Sequence, residues 1–121
     1  MPTPRSRLGR SAEIAAAAEL GRCGYRIITS NYRCRYGEID LIAREGDCLV
    51  FVEVRCKRTD SFGSPAESIT ISKQRKLITT AQYYLKECAS EDISCRFDVV
   101  EVVLSEGKLV VREIIRDAFS L

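Results

Sequence analysis

The segment Leu49-Val50-Phe51-Val52-Glu53-Val54-Arg55-Cys56 limits what this chain can fold into more than any other. It is rich in β-branched and apolar residues and lacks glycine and proline, so it reads as a strand. Alternation puts Leu49, Phe51, Glu53 and Arg55 on one face and Val50, Val52, Val54 and Cys56 on the other. Both faces start apolar, which marks a central strand covered on both sides. Glu53 interrupts that pattern where burial is deepest, and an ionised carboxylate there costs several kcal/mol unless it is paired or binds a metal.

The strand before it repeats the anomaly. In Glu38-Ile39-Asp40-Leu41-Ile42-Ala43 the aspartate stands between apolar residues and is expected to share a face with Glu38 and Ile42. A hairpin through Glu45, Gly46 and Asp47 lays the two strands side by side and brings Asp40 near Glu53. Adjacent carboxylates repel unless a proton or a cation lies between them. Oxygen-only donors select hard ions, so Mg²⁺ or Mn²⁺ is the expected cofactor. The bland alternative is a same-face ion pair of Glu53 with Arg55, with Asp40 solvated at the sheet rim.

Elsewhere the periodicity predicts a helix over Arg10–Cys23, capped by Ser11 and buried through Leu8, Ile14, Ala15, Ala18 and Cys23. Gly24 follows its last turn, and Tyr25–Arg33 is β-rich. Strands Gly37–Arg44 and Cys48–Cys56 come next, then a polar, mobile loop over 57–68. A second helix is expected over Ser72–Cys88, with Leu77, Ala81, Tyr84, Leu85 and Cys88 at helical spacing. Strands Arg96–Leu104 and Lys108–Ile115 close the chain. The prediction is one α/β domain over residues 1–121, with residues 1–8 flexible and a mixed sheet flanked by helices in the order αβββαββ.

Composition narrows the chemistry. The 121 residues include no histidine, which removes Ser-His and Cys-His nucleophiles and imidazole-ligated zinc. None of the six cysteines forms a CxxC pair, so they read as reduced, inward-facing thiols. Net charge runs in blocks: +5 over residues 1–37, −4 over 38–53, +5 over 54–86 and −4 over 87–121. An acidic segment flanked by basic ones suits a metal site beside phosphate-binding surfaces, although surface charge also clusters by chance. No apolar run is long enough to span a membrane and no secretory apolar stretch opens the chain, so a cytoplasmic domain is expected. No organic cofactor is called for.

Asp40, a spacer of twelve residues and Glu53-Val54-Arg55 resemble the PD-(D/E)xK nuclease signature, with arginine in the lysine position. The whole chain from Gly9 to Phe119 resembles the UPF0102 (YraN) family of predicted endonucleases, which are similar to archaeal Holliday junction resolvases. The likeness rests on Gly9–Glu13, Gly24-Tyr25, Asn31-Tyr32-Arg33, Gly37–Ala43, Phe51–Arg55, Arg96–Val100 and Ala118-Phe119. It implies a restriction-endonuclease-like fold and metal-assisted hydrolysis of phosphodiester bonds in DNA, with branched DNA such as Holliday junctions as one substrate. Symmetric cutting of a junction would call for a homodimer.

Carried over residue by residue, the resemblance makes Asp40 and Glu53 metal ligands, with Glu13 on the first helix as a supporting acid and Glu19 its nearby competitor. A first-turn role at the helix N-terminus would also explain Glu13. Arg55 takes the third motif position; arginine stabilises anionic charge but does not serve as a base. That departure keeps open a second function, a non-catalytic nucleic-acid-binding module. Lys57 continues the face of Glu53 and Arg55, and it reads as a solvated residue that meets backbone phosphate. Arg58, Lys73, Arg75 and Lys76 are expected to contact phosphates too, with a solvated helix face the alternative for the last three. Asp98 has the alternation phase of a structural residue.

Overall fold

The computed structural model describes residues 4–58, 69–89 and 92–120. Helix α1 (Pro4–Arg22) leads into three strands, β1 (Arg26–Cys34), β2 (Gly37–Glu45) and β3 (Cys48–Arg58). Helix α2 (Ile71–Cys88) follows, and β4 (Cys95–Ser105) and β5 (Lys108–Phe119) complete the order αβββαββ. The strands form one mixed sheet in the order β1-β2-β3-β4-β5. Only the β3–β4 pair is parallel, because α2 carries the chain back over the sheet between them. The remaining neighbours are antiparallel.

The two-faced reading of β3 holds. Leu49 and Phe51 join a core with Ile42, Leu77, Ala81, Tyr84, Phe97 and Val99 on the side covered by α2. Val50 and Val52 join Ala12, Ala16, Leu20, Tyr25, Val100 and Val102 on the side covered by α1. Burial of both faces is what makes a carboxylate on this strand costly.

Helix α1 departs from expectation in start and phase. It begins at Pro4, where the missing N–H of proline costs nothing, so Ser11 lies inside the helix rather than capping it. Its buried stripe is Ala12, Ala16 and Leu20, whereas Ile14 is 71% exposed and Leu8 and Ala18 also face solvent. Alanines at four-residue spacing let the helix lie close on the sheet, and that closeness outweighs burying one isoleucine. The C-terminus closes as expected: Gly24, at φ 95°, donates to the Gly21 carbonyl, and the Tyr25 N–H reaches back to Leu20.

Lys57 and Arg58, expected to open a loop, instead end β3, and residues 59–68 lie outside the described residues. All six cysteines are free, but none is buried: Cys23, Cys56 and Cys88 are exposed and the others half-buried. The cysteines at helix ends and on the outer stretch of β3 sit beyond the layers that cover the core. Gly37 sets the spacing of α2 on β2, since a Cβ there would lie 2.9 Å from Thr80 Oγ1.

Candidate active site

Asp40 lies where the regular pairing of the sheet breaks. Ser30 pairs with Leu41 and Tyr32 with Ile39, while Asn31 between them adopts φ 55°, a left-handed conformation that asparagine tolerates better than most residues. On the other side, the β2–β3 ladder runs from Glu45–Cys48 to Leu41–Val52. Just beyond it Asp40 Oδ2 accepts the Val54 N–H at 2.8 Å, replacing a ladder bond with a side-chain one. The alternation of β2 slips here as well: Ile39 and Ile42 both face the α2 core, whereas Leu41 faces the α1 core.

Glu53 stands on the α2 side of β3 and is 7% exposed. Burial first, and then the charge of Asp40, raise its pKa from an ordinary 4.5 to about 7. Burial raises Asp40 as well, opposed chiefly by the Val54 N–H and by Lys73. Lys73 Nζ lies 3.9 Å from Glu53 Oε1. The first turn of α2 delivers it: Thr70 caps the helix by accepting the Lys73 N–H at 3.1 Å. Arg55, half-buried, also lowers the pKa of both carboxylates. These cations compensate the pair only in part, and Asp40 is half-buried with its Oδ2 on the Val54 N–H rather than solvated at the sheet rim.

Glu13 approaches from the other helix. It lies mid-helix, well past the first turn, so the helix N-terminus does not account for it. Its carboxylate accepts a hydrogen bond from the Asn31 side chain, and its Oε2 is buried with no hydrogen-bond partner among the described residues. Burial, and next the charge of Asp40, raise its pKa. Asn31 thus kinks β1 opposite Asp40 and also holds Glu13. The competitor Glu19 is taken up by Arg22, at 2.6 Å.

The basic residues divide differently from expectation. Lys73 enters the acidic site, while Arg75 and Lys76 face solvent. Lys57 is not solvated: its side chain is 17% exposed and its Nζ lies 3.9 Å from Glu101 Oε1. The side chain of Arg58 lies outside the described residues. Glu101, 2% exposed on β4 beside Arg55, went unnoticed in the sequence. Its signal was of the kind that revealed Glu53, a carboxylate between valines in a strand apolar on both faces, here Val99-Val100-Glu101-Val102-Val103.

Among the described residues, no three acidic or cysteine side chains converge closely enough to hold an ion by themselves. Mg²⁺ commonly takes only one or two carboxylates and completes its shell with water and substrate phosphate. Half-buried Asp40 and buried Glu53, adjacent and only partly compensated, fit that donor set; Glu13 Oε2 adds a third acid at its border.

A family model described as "Uncharacterised protein family UPF0102" matches residues 12–102. A UPF0102 protein of Syntrophus aciditrophicus is 45% identical over 120 residues, covering 98% of this chain and 93% of the relative. One from Symbiobacterium thermophilum is 50% identical over 114 residues, covering 93% and 96%. One from Chloroflexus aurantiacus is 47% identical, covering 91% and 90%. Among solved structures, Pyrococcus furiosus SfsA in complex with Ca²⁺ is similar at TM-score 0.38 and 13% identity, over 90% of this chain and 63% of that one, too distant to bear on the site.

Proposed function

This chain belongs to the UPF0102 family, and from the site described above we propose that it is a metal-dependent DNA endonuclease that hydrolyses phosphodiester bonds, branched DNA among its substrates. One observation carries the reading: half-buried Asp40 lies beside buried Glu53, each raised in pKa, with only partial compensation by Lys73 and Arg55. A fold does not keep so costly an arrangement for stability, because apolar residues of similar size would serve better there.

Asp40 and Glu53 would hold Mg²⁺ or Mn²⁺, which supplies activation of a water and neutralisation of phosphoryl charge. Arg55 offers a fixed cation to the charge that builds on the phosphate in the transition state. Lys73, 38% exposed, lies at the mouth of the site, where its ammonium can pass from Glu53 to an incoming phosphate. Glu13, held by Asn31, supports the acidic cluster from the α1 side. Symmetric cutting of a four-way junction would need two such sites and hence a homodimer. The second reading, a nucleic-acid-binding module without turnover, draws on Arg55, since arginine cannot accept the proton of the attacking water.

The test is cleavage of labelled duplex, single-stranded, flap and four-way-junction DNA with Mg²⁺, Mn²⁺ or EDTA. Metal-dependent cutting is expected, and Asp40→Asn and Glu53→Gln should each lower it by roughly a thousandfold while the protein stays folded. Absence of cutting across the panel, with DNA binding retained, selects the binding module instead.

A further inference from the structure

A groove of about 550 Å³ lies between the outer face of α2 and the turn joining β1 to β2. Arg35 and Tyr36 line it from the turn, and Thr79, Gln82, Tyr83 and Lys86 from the helix. Glu87 is the acid at its border. Neither the carboxylate site nor the core uses these residues.

Tyr36 is 41% exposed, and its ring tilts against Tyr83 with centroids 5.4 Å apart. Arg35 Cζ lies 4.9 Å from the Tyr36 centroid, and its Nη2 donates to the Tyr36 hydroxyl at 2.8 Å. A large aromatic ring is thus held in solvent by a second ring and a guanidinium, at a turn where any polar residue would have served. Planar cations and aromatic faces are the groups on which unpaired bases stack. Charge agrees: Arg35 and Lys86 flank the platform. Arg75, Thr79, Gln82 and Lys86 follow one another along one face of α2 at helical spacing. That face leads back toward the turn that carries Lys73. Lys73 and Tyr83 are ten residues apart on the helix, or about 15 Å, which spans roughly four stacked nucleotides.

We propose that this groove binds an unpaired strand of DNA, with one base stacked on the Arg35–Tyr36 platform a few nucleotides from the phosphodiester presented to Asp40 and Glu53. The assignment rests on the nuclease reading and names its substrate class: DNA with a single-stranded segment beside the cut. In an intact duplex both faces of each base are already stacked, so a duplex offers this platform nothing beyond its phosphates.

The experiment titrates a single strand carrying one 2-aminopurine with full-length protein in EDTA. Stacking should quench the probe in wild type and in Tyr36→Phe. Tyr36→Leu should abolish the quench and weaken binding about tenfold, and Lys86→Glu should weaken binding in a salt-dependent way. Quenching and affinity unchanged in Tyr36→Leu overturn the proposal, as does duplex binding as tight as single-strand binding. Because EDTA removes turnover, a quench that persists in a protein that cuts no DNA with any ion defeats the nuclease reading and leaves the groove standing. Flap cleavage by Tyr36→Leu at the wild-type rate overturns the groove and leaves the nuclease.

Discussion

The sheet holds an aspartate on each side of β3, on β2 and on β4, with opposite consequences. On β4 Asp98, fully buried, accepts the Tyr25 hydroxyl at 2.7 Å, the Arg96 Nε–H at 2.9 Å and the Asp117 backbone N–H at 2.9 Å. Arg96 also donates to Glu45 at 2.7 Å, and Arg116 closes on the same carboxylate at 2.8 Å. On the other side of β3, Asp40 accepts the Val54 N–H at 2.8 Å, and Glu53 meets Lys73 at 3.9 Å, too long for a hydrogen bond. The first site spends its donors on the acid and ties β2, β4 and β5 to the end of α1. Among the described residues the second leaves acceptor capacity over, which the proposed ion would use. Compensation in full around Asp98 and only in part around Asp40 and Glu53 is the contrast on which the proposed site rests.

Removing Asp98 breaks the comparison most directly. Asp98→Ala strands the Arg96 guanidinium, the Tyr25 hydroxyl and the Asp117 N–H, and should cost about 3–5 kcal/mol in urea unfolding. A loss under about 1 kcal/mol would mean that the network contributes little and that the contrast has no energetic content.

Glu53 should behave in the opposite way. Its pKa is about 7 in the fold against an ordinary 4.5, so between those values the folded chain holds a proton that the unfolded chain has released. Stability in EDTA should therefore fall as pH rises through that window and stay low above it. Glu53→Gln cannot ionise, so at pH 8 it should be more stable than wild type by up to roughly 3 kcal/mol, and the gain should vanish below about pH 4.5. Melting curves across pH check the sign; a variant less stable than wild type at pH 8 would place Glu53 with Asp98 among the structural acids.

This contrast also shows how far the sequence could be read. The element order and the two faces of β3 were legible because β-branched runs and turn residues specify them locally, and Glu53 and Asp40 were legible as breaks in those runs. The same test applied to β4 exposes Glu101 and would have removed Lys57 from the solvated residues, because an acid that deeply buried needs a cation beside it. The phase of α1 was hidden by its alanines, which fit a buried stripe at any rotation. The role of Asn31 was out of reach for a different reason. Its left-handed backbone and its bond to Glu13 arise only when β1, β2 and α1 meet, and no local pattern encodes that meeting. Lys73 was read correctly as a basic residue on the first turn of α2, but that this turn abuts Glu53 is a fact of packing.

The smallest expected effect sharpens the comparison within the Asp98 network itself. Tyr25→Phe deletes the hydroxyl that donates to Asp98 at 2.7 Å and accepts from Arg96 at 3.1 Å, and leaves the ring in place. The Arg116 and Arg96 guanidiniums, 5.2 and 5.8 Å from the ring centroid, keep their contacts with its face. Burial, then Asp98, push the Tyr25 pKa up to about 12, so the group removed is a neutral donor throughout the accessible range. A hydrogen bond to a charged acceptor predicts a loss of about 1.5 kcal/mol, with cleavage and metal binding unchanged. In an Asp98→Ala background the same substitution should cost much less, since its acceptor has already gone. Equal costs in the two backgrounds would show that Tyr25 contributes through its ring alone. Asp98 would then rely on Arg96 and the Asp117 N–H, and the difference between Asp98 and Asp40 would come down to those two donors.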